Sequence, residues 1–208
     1  MGGPSLEFEF SAHAYVQDLT ALLNTLDHQA LELIAQLFCS ADAERNTVFC
    51  CGNGGSAATA VHFAADLCKL TCRPGRVRLR VLSLNDAMPA ITAAANDFDY
   101  REIFAEQLRA LMSPGDIVIG FSTSGRSPNV VRAIEFANEN GGITVGVTGA
   151  TGGPLAKIAQ NVLVIPSTNV QRVEDVSLVA THLLCMMTLQ RLCERDQMVP
   201  ARMGVSGF

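Results

Sequence analysis

The chain has 208 residues, of which 49% are hydrophobic and 17% charged, with a formal net charge of −5 and no Trp. That length can bury a full α/β core in one domain, and the apolar content excludes a disordered chain. The acidic balance argues against holding nucleic acid by net charge, because phosphate neutralisation needs clustered Lys and Arg, so direct nucleic-acid binding is not expected.

Along the chain, Met1 to Phe10 has no basic flank and no apolar signal core, and no stretch approaches the ~18 apolar residues of a spanning helix. A cytoplasmic protein without a membrane partner is expected. Two helical patterns come first, about 12–26 and 28–43, with Val16, Leu19, Leu22, Leu23 and Leu26 at helical spacing. Strand-like runs then alternate with helical ones: TVFCC from Thr47, RLRVLSL from Arg78, DIVIGFS from Asp116, ITVGVTG from Ile143 and NVLVIP from Asn161. The intervening helices are predicted to start near Ser56, Tyr100 and Pro128, and a last one to run from Val173 to Glu194. This alternation predicts a doubly wound five-stranded parallel sheet behind an N-terminal helical pair, in one domain spanning 1–208 with its α/β core at about 47–195. Pro74-Gly75 and Pro114-Gly115 read as loop punctuation. The tail from Met198 to Phe208 has no periodicity, and is expected to fray or to pack on a neighbouring subunit. Cys39, Cys50, Cys51, Cys68, Cys72, Cys185 and Cys193 are odd in number and mostly sit in apolar runs, so they read as reduced core residues.

Two strand ends open into small, polar, glycine-containing turns: Cys51-Gly52-Asn53-Gly54-Gly55-Ser56, and Phe121-Ser122-Thr123-Ser124-Gly125-Arg126-Ser127. Ligands of open α/β sheets bind outside the carboxyl ends of the strands, where both turns fall. In the second turn Ser122, Thr123, Ser124 and Ser127 can hydrogen-bond phosphate oxygens, beside the N–H groups that open the helix from Pro128. Serine and glycine also build ordinary turns and helix caps, so each turn alone is weak; the pair is stronger. Neither turn fits a P-loop or a dinucleotide fingerprint, so no nucleotide cofactor is expected.

The order GNGGSAATAVHFAADL, AANDFDYREIF, STSGRSPNVVRAI and RVEDVSLVATHLL resembles the sugar isomerase (SIS) domain of phosphoheptose isomerases, over about 49–192. The resemblance implies a flavodoxin-like SIS fold and a homotetramer with active sites between subunits. It also implies conversion of sedoheptulose 7-phosphate to D-glycero-D-manno-heptose 7-phosphate, with zinc in some members. Carried over by motif, Asn53, Gly54, Gly55 and Ser56 would contact the sugar phosphate, Ser122, Thr123, Ser124 and Ser127 would cradle its phosphate, and Asn96 and Asp97 would meet sugar hydroxyls. His62, Asp66, Glu174 and His182 would be the metal and catalytic positions, with Asp66 and Glu174 also reaching substrate. Two departures stand out: Asp66 replaces the family's Glu, one methylene shorter, and Glu174 replaces a frequent Gln, adding a negative charge. Lys69 supplies a positive charge nearby. Relatives of the same fold serve instead as sugar-phosphate-binding scaffolds, including adaptors of the bacterial replication initiator, or as ketol-isomerases for other sugar phosphates.

Spacing adds its own constraints. His62 and Asp66, four apart on a helix, project from one face and can share a ligand. Glu174 and His182, eight apart, drift by about 80°, while Asp175 is better aligned with His182, so geometry alone does not choose Glu174. Isomerisation needs a base that moves a proton between C1 and C2 and a group that serves the oxygens; Asp66 is the candidate base and His182 the candidate acid or opposing base.

Overall fold

The structure, a computed structural model, describes residues 10–198. Two helices, α1 (Ala12–Leu23) and α2 (His28–Glu44), precede β1 (Thr47–Gly52), α3 (Gly55–Leu70) and β2 (Arg80–Ser83). There follow α4 (Met88–Asp97), a 3-10 turn at Tyr100–Glu102, α5 (Ala105–Leu111), β3 (Ile117–Ser122) and α6 (Pro128–Glu139). The chain closes with β4 (Ile143–Gly149), α7 (Gly153–Ile158), β5 (Asn161–Ile165) and α8 (Val170–Met198). All strand pairs are parallel, in the order β2-β1-β3-β4-β5, as in flavodoxin-like folds.

Strand alternation splits the core into two layers. Val48, Cys50, Ile117, Ile119, Phe121, Val145 and Val147 face one layer with α2, α3 and α8. Phe49, Cys51 and Val118 face the other with α5, α6 and α7. The helix after β1 therefore lies on one side and the helix after β3 on the other, although β1 and β3 are paired neighbours. The winding reverses between these strands, which opens a crevice at their carboxyl ends. Both polar turns border it.

Several expectations need correction. Helices α4 and α7 were not foreseen, because MPAITAAAND buries only Ala94 and GPLAKI spans just six residues. Proline in the first turn of each was the available signal. The helix expected from Tyr100 is a short 3-10 turn followed by α5. Strand β2 covers only four residues of RLRVLSL, at the sheet edge. The statement about spanning segments also changes: Val170–Gln197 of α8 is long and apolar enough to cross a membrane by length and composition alone. Here it packs along α2 and α3 and buries Val173, Val176, Ala180, Leu184 and Leu192 in the core. The tail expected over 198–208 lies outside the described residues apart from the backbone of Met198.

A buried ionic cluster fixes the far end of α8. Arg73 and Asp42, 6% and 5% exposed, pair through two bonds of 3.0 and 2.9 Å. Arg73 also binds Asp196 at 3.0 Å, and Arg195 binds Asp42. The cluster ties α2, the segment after α3 and the end of α8 together, and α3 and α8 carry the site described next.

Candidate active site

Helix α3 shows two faces. Ala60, Phe63, Ala64 and Leu67 recur at helical spacing and enter the core. His62 and Asp66 fall on the adjoining face, with His62 Nε2 3.1 Å from Asp66 Oδ2. Across the seam, α8 brings His182 Nε2 to 3.0 Å from His62 Nε2 and 3.6 Å from Asp66 Oδ2. The two imidazoles are about half exposed and Asp66 is 30% exposed, so the cluster is open to solvent. Beneath it Cys185 is pushed up to about 12, by burial first and by the nearby Asp66 charge second, so it sits as a neutral thiol.

These three residues offer ligand atoms that all lie within 4.8 Å of one another. Tetrahedral zinc with bonds of about 2.0–2.1 Å would have its ligands about 3.3 Å apart. The observed edges of 3.0, 3.1 and 3.6 Å bracket that spacing, so His62, Asp66 and His182 fit such an ion. Three protein ligands leave a fourth position for substrate, the arrangement of catalytic rather than structural sites.

Glu174, the expected fourth ligand, does not join the group. The reason lies in the register of the helices. Glu174 meets Gly55, and His182 meets His62, so α3 and α8 run side by side in the same direction. Eight residues along α8 and seven along α3 are about 12 and 10 Å of rise. Glu174 is therefore two turns above the cluster, at the mouth of the crevice. Its carboxylate rests on Gly55, in the space a Cβ there would take, and a negative charge is favourable at the start of α3. Asp175 is engaged elsewhere: it accepts a 2.5 Å bond from the Tyr15 hydroxyl, and this bond is the main cause of a raised Tyr15 pKa.

At the mouth, the N-terminus of α3 has no side-chain cap, Gly54 standing there with φ 54°. The second turn is tightly folded: Ser122 Oγ and Ser127 Oγ are 3.0 Å apart, Gly125 N–H donates to Ser122 O at 2.9 Å, and Arg126 N–H donates to Ser124 Oγ at 3.2 Å. A Cβ on Gly125, at φ 64°, would collide with the Gly152 carbonyl, so only glycine lets the turn sit against the loop after β4. Thr123 holds that loop through its carbonyl, which accepts from Gly149 N–H at 3.0 Å. Ser127 makes no capping bond, Pro128 has no N–H and the Val130 N–H donates to Asn129 Oδ1, so the Asn129 N–H is the first-turn donor left for an anion.

The sequence reading missed the residues that join the turns. Asn129 of α6 bonds Asn53 reciprocally, and Tyr100 reaches Asn53 at 3.1 Å. Asn85 clamps Gly52 through its N–H and C=O at 3.1 and 2.9 Å. Asn53 and Asn85 just beyond strand ends, and Asn129 in the first turn of a helix, were the available signal. Asn96 and Asp97 are exposed at the end of α4 and bond each other at 2.8 Å. Among the described residues no hydrogen bond ties them to either turn, and Asp97 lines an apolar groove of about 390 Å³ with Ala90, Ala94 and Leu111. Lys69 is exposed on α3 one turn beyond Asp66.

Comparison with known proteins decides the family. A model of the SIS domain matches residues 14–149. A phosphoheptose isomerase of Aquifex aeolicus is 38% identical over 166 residues, 78% of this chain and 85% of that protein. One of Trichlorobacter lovleyi is 37% identical over 85% of this chain and 91% of its own length. This chain belongs to the phosphoheptose isomerase family of SIS-domain proteins. The solved phosphoheptose isomerase of Neisseria gonorrhoeae superposes with a TM-score of 0.78 at 28% identity, over 85% of this chain and 95% of that one. Phosphoheptose isomerases are intramolecular isomerases, so the crevice and the cluster below it are the place to look for ketose–aldose chemistry.

Proposed function

We propose that the chain interconverts sedoheptulose 7-phosphate and D-glycero-D-manno-heptose 7-phosphate, with Asp66 and His182 as its proton-transfer groups. The observation that carries this reading is the convergence of Asp66, His62 and His182 in the seam between α3 and α8. The turn after β1 stands about 10 Å above this cluster by the rise of α3, and the phosphate turn after β3 borders the same crevice. A sugar phosphate with its carbonyl and its phosphate at opposite ends suits that separation.

In this reading Ser122, Thr123, Ser124, Ser127 and the Asn129 N–H at the start of α6 hold the phosphate. Asn53, Gly54, Gly55 and Ser56 border the sugar, and Glu174, an acceptor-only side chain, takes a bond from a sugar hydroxyl at the mouth. Asp66 takes the proton from the carbon beside the carbonyl and returns it to the neighbouring carbon, while His182 exchanges protons with the two oxygens. Each role is worth about 10²–10⁴-fold. A zinc ion held by His62, Asp66 and His182 would polarise the carbonyl as a Lewis acid. With or without it, His62 orients Asp66 through their 3.1 Å contact.

The reading extends to assembly and location. A homotetramer is supported by the half-exposed cluster and by apolar side chains at the surface, among them Val16, Leu33, Leu183 and Met186. Light scattering should give four copies per particle, and a monomer at micromolar concentration would remove shared sites from the scheme. Seven unpaired cysteines suit a reducing compartment such as the cytoplasm.

The decisive experiment is incubation of the purified protein with sedoheptulose 7-phosphate and a panel of other ketose phosphates, with and without zinc, followed by mass-resolved sugar analysis. The heptose aldose should form fastest. Preference for a shorter ketose phosphate would reassign the substrate. Binding without any proton exchange between sugar and solvent would make the protein a scaffold.

A further inference from the structure

The side-chain amide of Asn53 has a C=O end and an NH₂ end of nearly equal shape, and the two recognise opposite groups. Its orientation follows from a chain of hydrogen bonds that starts in α6. The N–H of Val130 lies in the first turn of that helix, where backbone donors lack intrahelical partners. It can only donate, and it meets the side chain of Asn129 at 3.0 Å, so the atom it meets is Oδ1. The NH₂ of Asn129 is thereby turned toward Asn53.

Asn129 Nδ2 donates to Asn53 Oδ1 at 2.8 Å, and Asn53 Nδ2 donates back to Asn129 Oδ1 at 2.8 Å. The Tyr100 hydroxyl donates to the same Asn53 Oδ1 at 3.1 Å. Both lone pairs of Asn53 Oδ1 are then taken, and so is one of the two hydrogens on Nδ2. The second hydrogen has no partner among the described residues. Asn129 is fully buried and Asn53 half-buried, so water reaches the pair from the Asn53 side alone, and the two amides joined head to head strengthen each other.

We propose that Asn129 is a positioning residue that locks the amide of Asn53, with Tyr100 as a second lock, so that Asn53 offers the sugar phosphate an N–H and never a C=O. This rests on the reading of Asn53 as a substrate contact. The locked amide selects a substrate oxygen with a free lone pair, a carbonyl or phosphate oxygen, over a hydroxyl acting as donor. The same pair joins the turn after β1 to the helix after β3, and so holds the sugar turn and the phosphate turn at one spacing.

A double-mutant cycle tests it. Asn129→Asp keeps the size of the side chain and the acceptor for Val130 N–H, but removes the donor that holds Asn53 Oδ1. Steady-state kinetics on sedoheptulose 7-phosphate and melting temperatures are measured for the wild type, Asn129→Asp, Asn53→Ala and the double variant. Each single change should lower kcat/KM by about tenfold or more, the scale of one substrate hydrogen bond. The double variant should be no worse than Asn53→Ala, because Asn129 acts only through Asn53. Losses that multiply would show that Asn129 acts independently of Asn53 and would overturn the proposal, as would an Asn129→Asp enzyme with wild-type kinetics. Should Asn129→Asp not fold, Tyr100→Phe on an exposed residue runs the same cycle, and a loss there that multiplies with Asn53→Ala is equally fatal. A wild type that turns over no sugar phosphate sinks the functional reading, and this inference falls with it.

Discussion

Replacing Asp66 by Asn separates chemistry from architecture, because the amide keeps the shape of the carboxylate but cannot accept a carbon proton. Two magnitudes can be set against each other. A missing general base costs about 10²–10⁴ in kcat, or about 3–5 kcal/mol of barrier. The folded state loses far less: Asp66 is 30% exposed and its His62 partner is 46% exposed, so the contact is worth less than about 1 kcal/mol. At this chain length that shifts the melting temperature by no more than about 4 °C. The assay is NMR in D₂O, which counts solvent deuterium entering C1 and C2 of the sugar, beside a thermal melt of the same sample. The expected result is a kcat lower by at least two orders of magnitude, with sugar-phosphate binding and melting nearly unchanged. Near-normal turnover would refute Asp66 as the base and move the search to Glu174. A melt lowered in proportion to activity would show that Asp66 holds the α3–α8 seam together instead.

Ser122→Ala combined with Ser124→Ala should weaken calorimetric binding of the sugar phosphate by tenfold or more while moving the melt little; equal loss of both would mark the turn as structural. Asp42→Ala strands the buried Arg73 without its main partner, which should cost about 3–5 kcal/mol in urea unfolding, and a loss below about 1 kcal/mol would show that Asp196 suffices. Thiol alkylation at pH 8 followed by mass mapping should mark the exposed Cys72 first. Cys51 and Cys185 should be protected, since burial pushes both up to about 12 and leaves little thiolate to react.

The five strands and their parallel pairing were legible because four of the runs are strongly apolar and alternate with helix signals, while RLRVLSL, with two arginines, forms a short and mostly exposed edge strand. Segments between 88 and 111 were less legible. Helix α4 buries only Ala94 among its residues, so no apolar stripe announced it. Helix α8 was legible as a helix over 173–194, within its observed Val170–Met198, although its core stripe sits beside the exposed Leu183 and Met186, which blurs the helical period that a one-sided helix would show.

In the site, legibility follows the distance over which residues act. His62 and Asp66 were readable as a pair because four residues on one helix always share a face, whatever the fold does. His182 could join them only through the packing of α8 on α3, and no local pattern encodes that register. The same register decides the fate of Glu174. Had α8 slid by two turns, Glu174 would face His62, and the cluster would carry a second carboxylate in place of an imidazole. The contact of Glu174 with Gly55 and the contact of His182 with His62 fix the slide at two points, and the buried Asp42–Arg73–Asp196 cluster pins the far end of the same helix. A helix held at three levels cannot shift by one turn without breaking all of them. Under the proposed function, Glu174, standing where the resemblance implies a frequent Gln, alters what the sugar meets at the mouth of the crevice and leaves Asp66 and His182 two turns below it unchanged, so substrate preference, rather than reaction type, is where this chain should differ from its relatives.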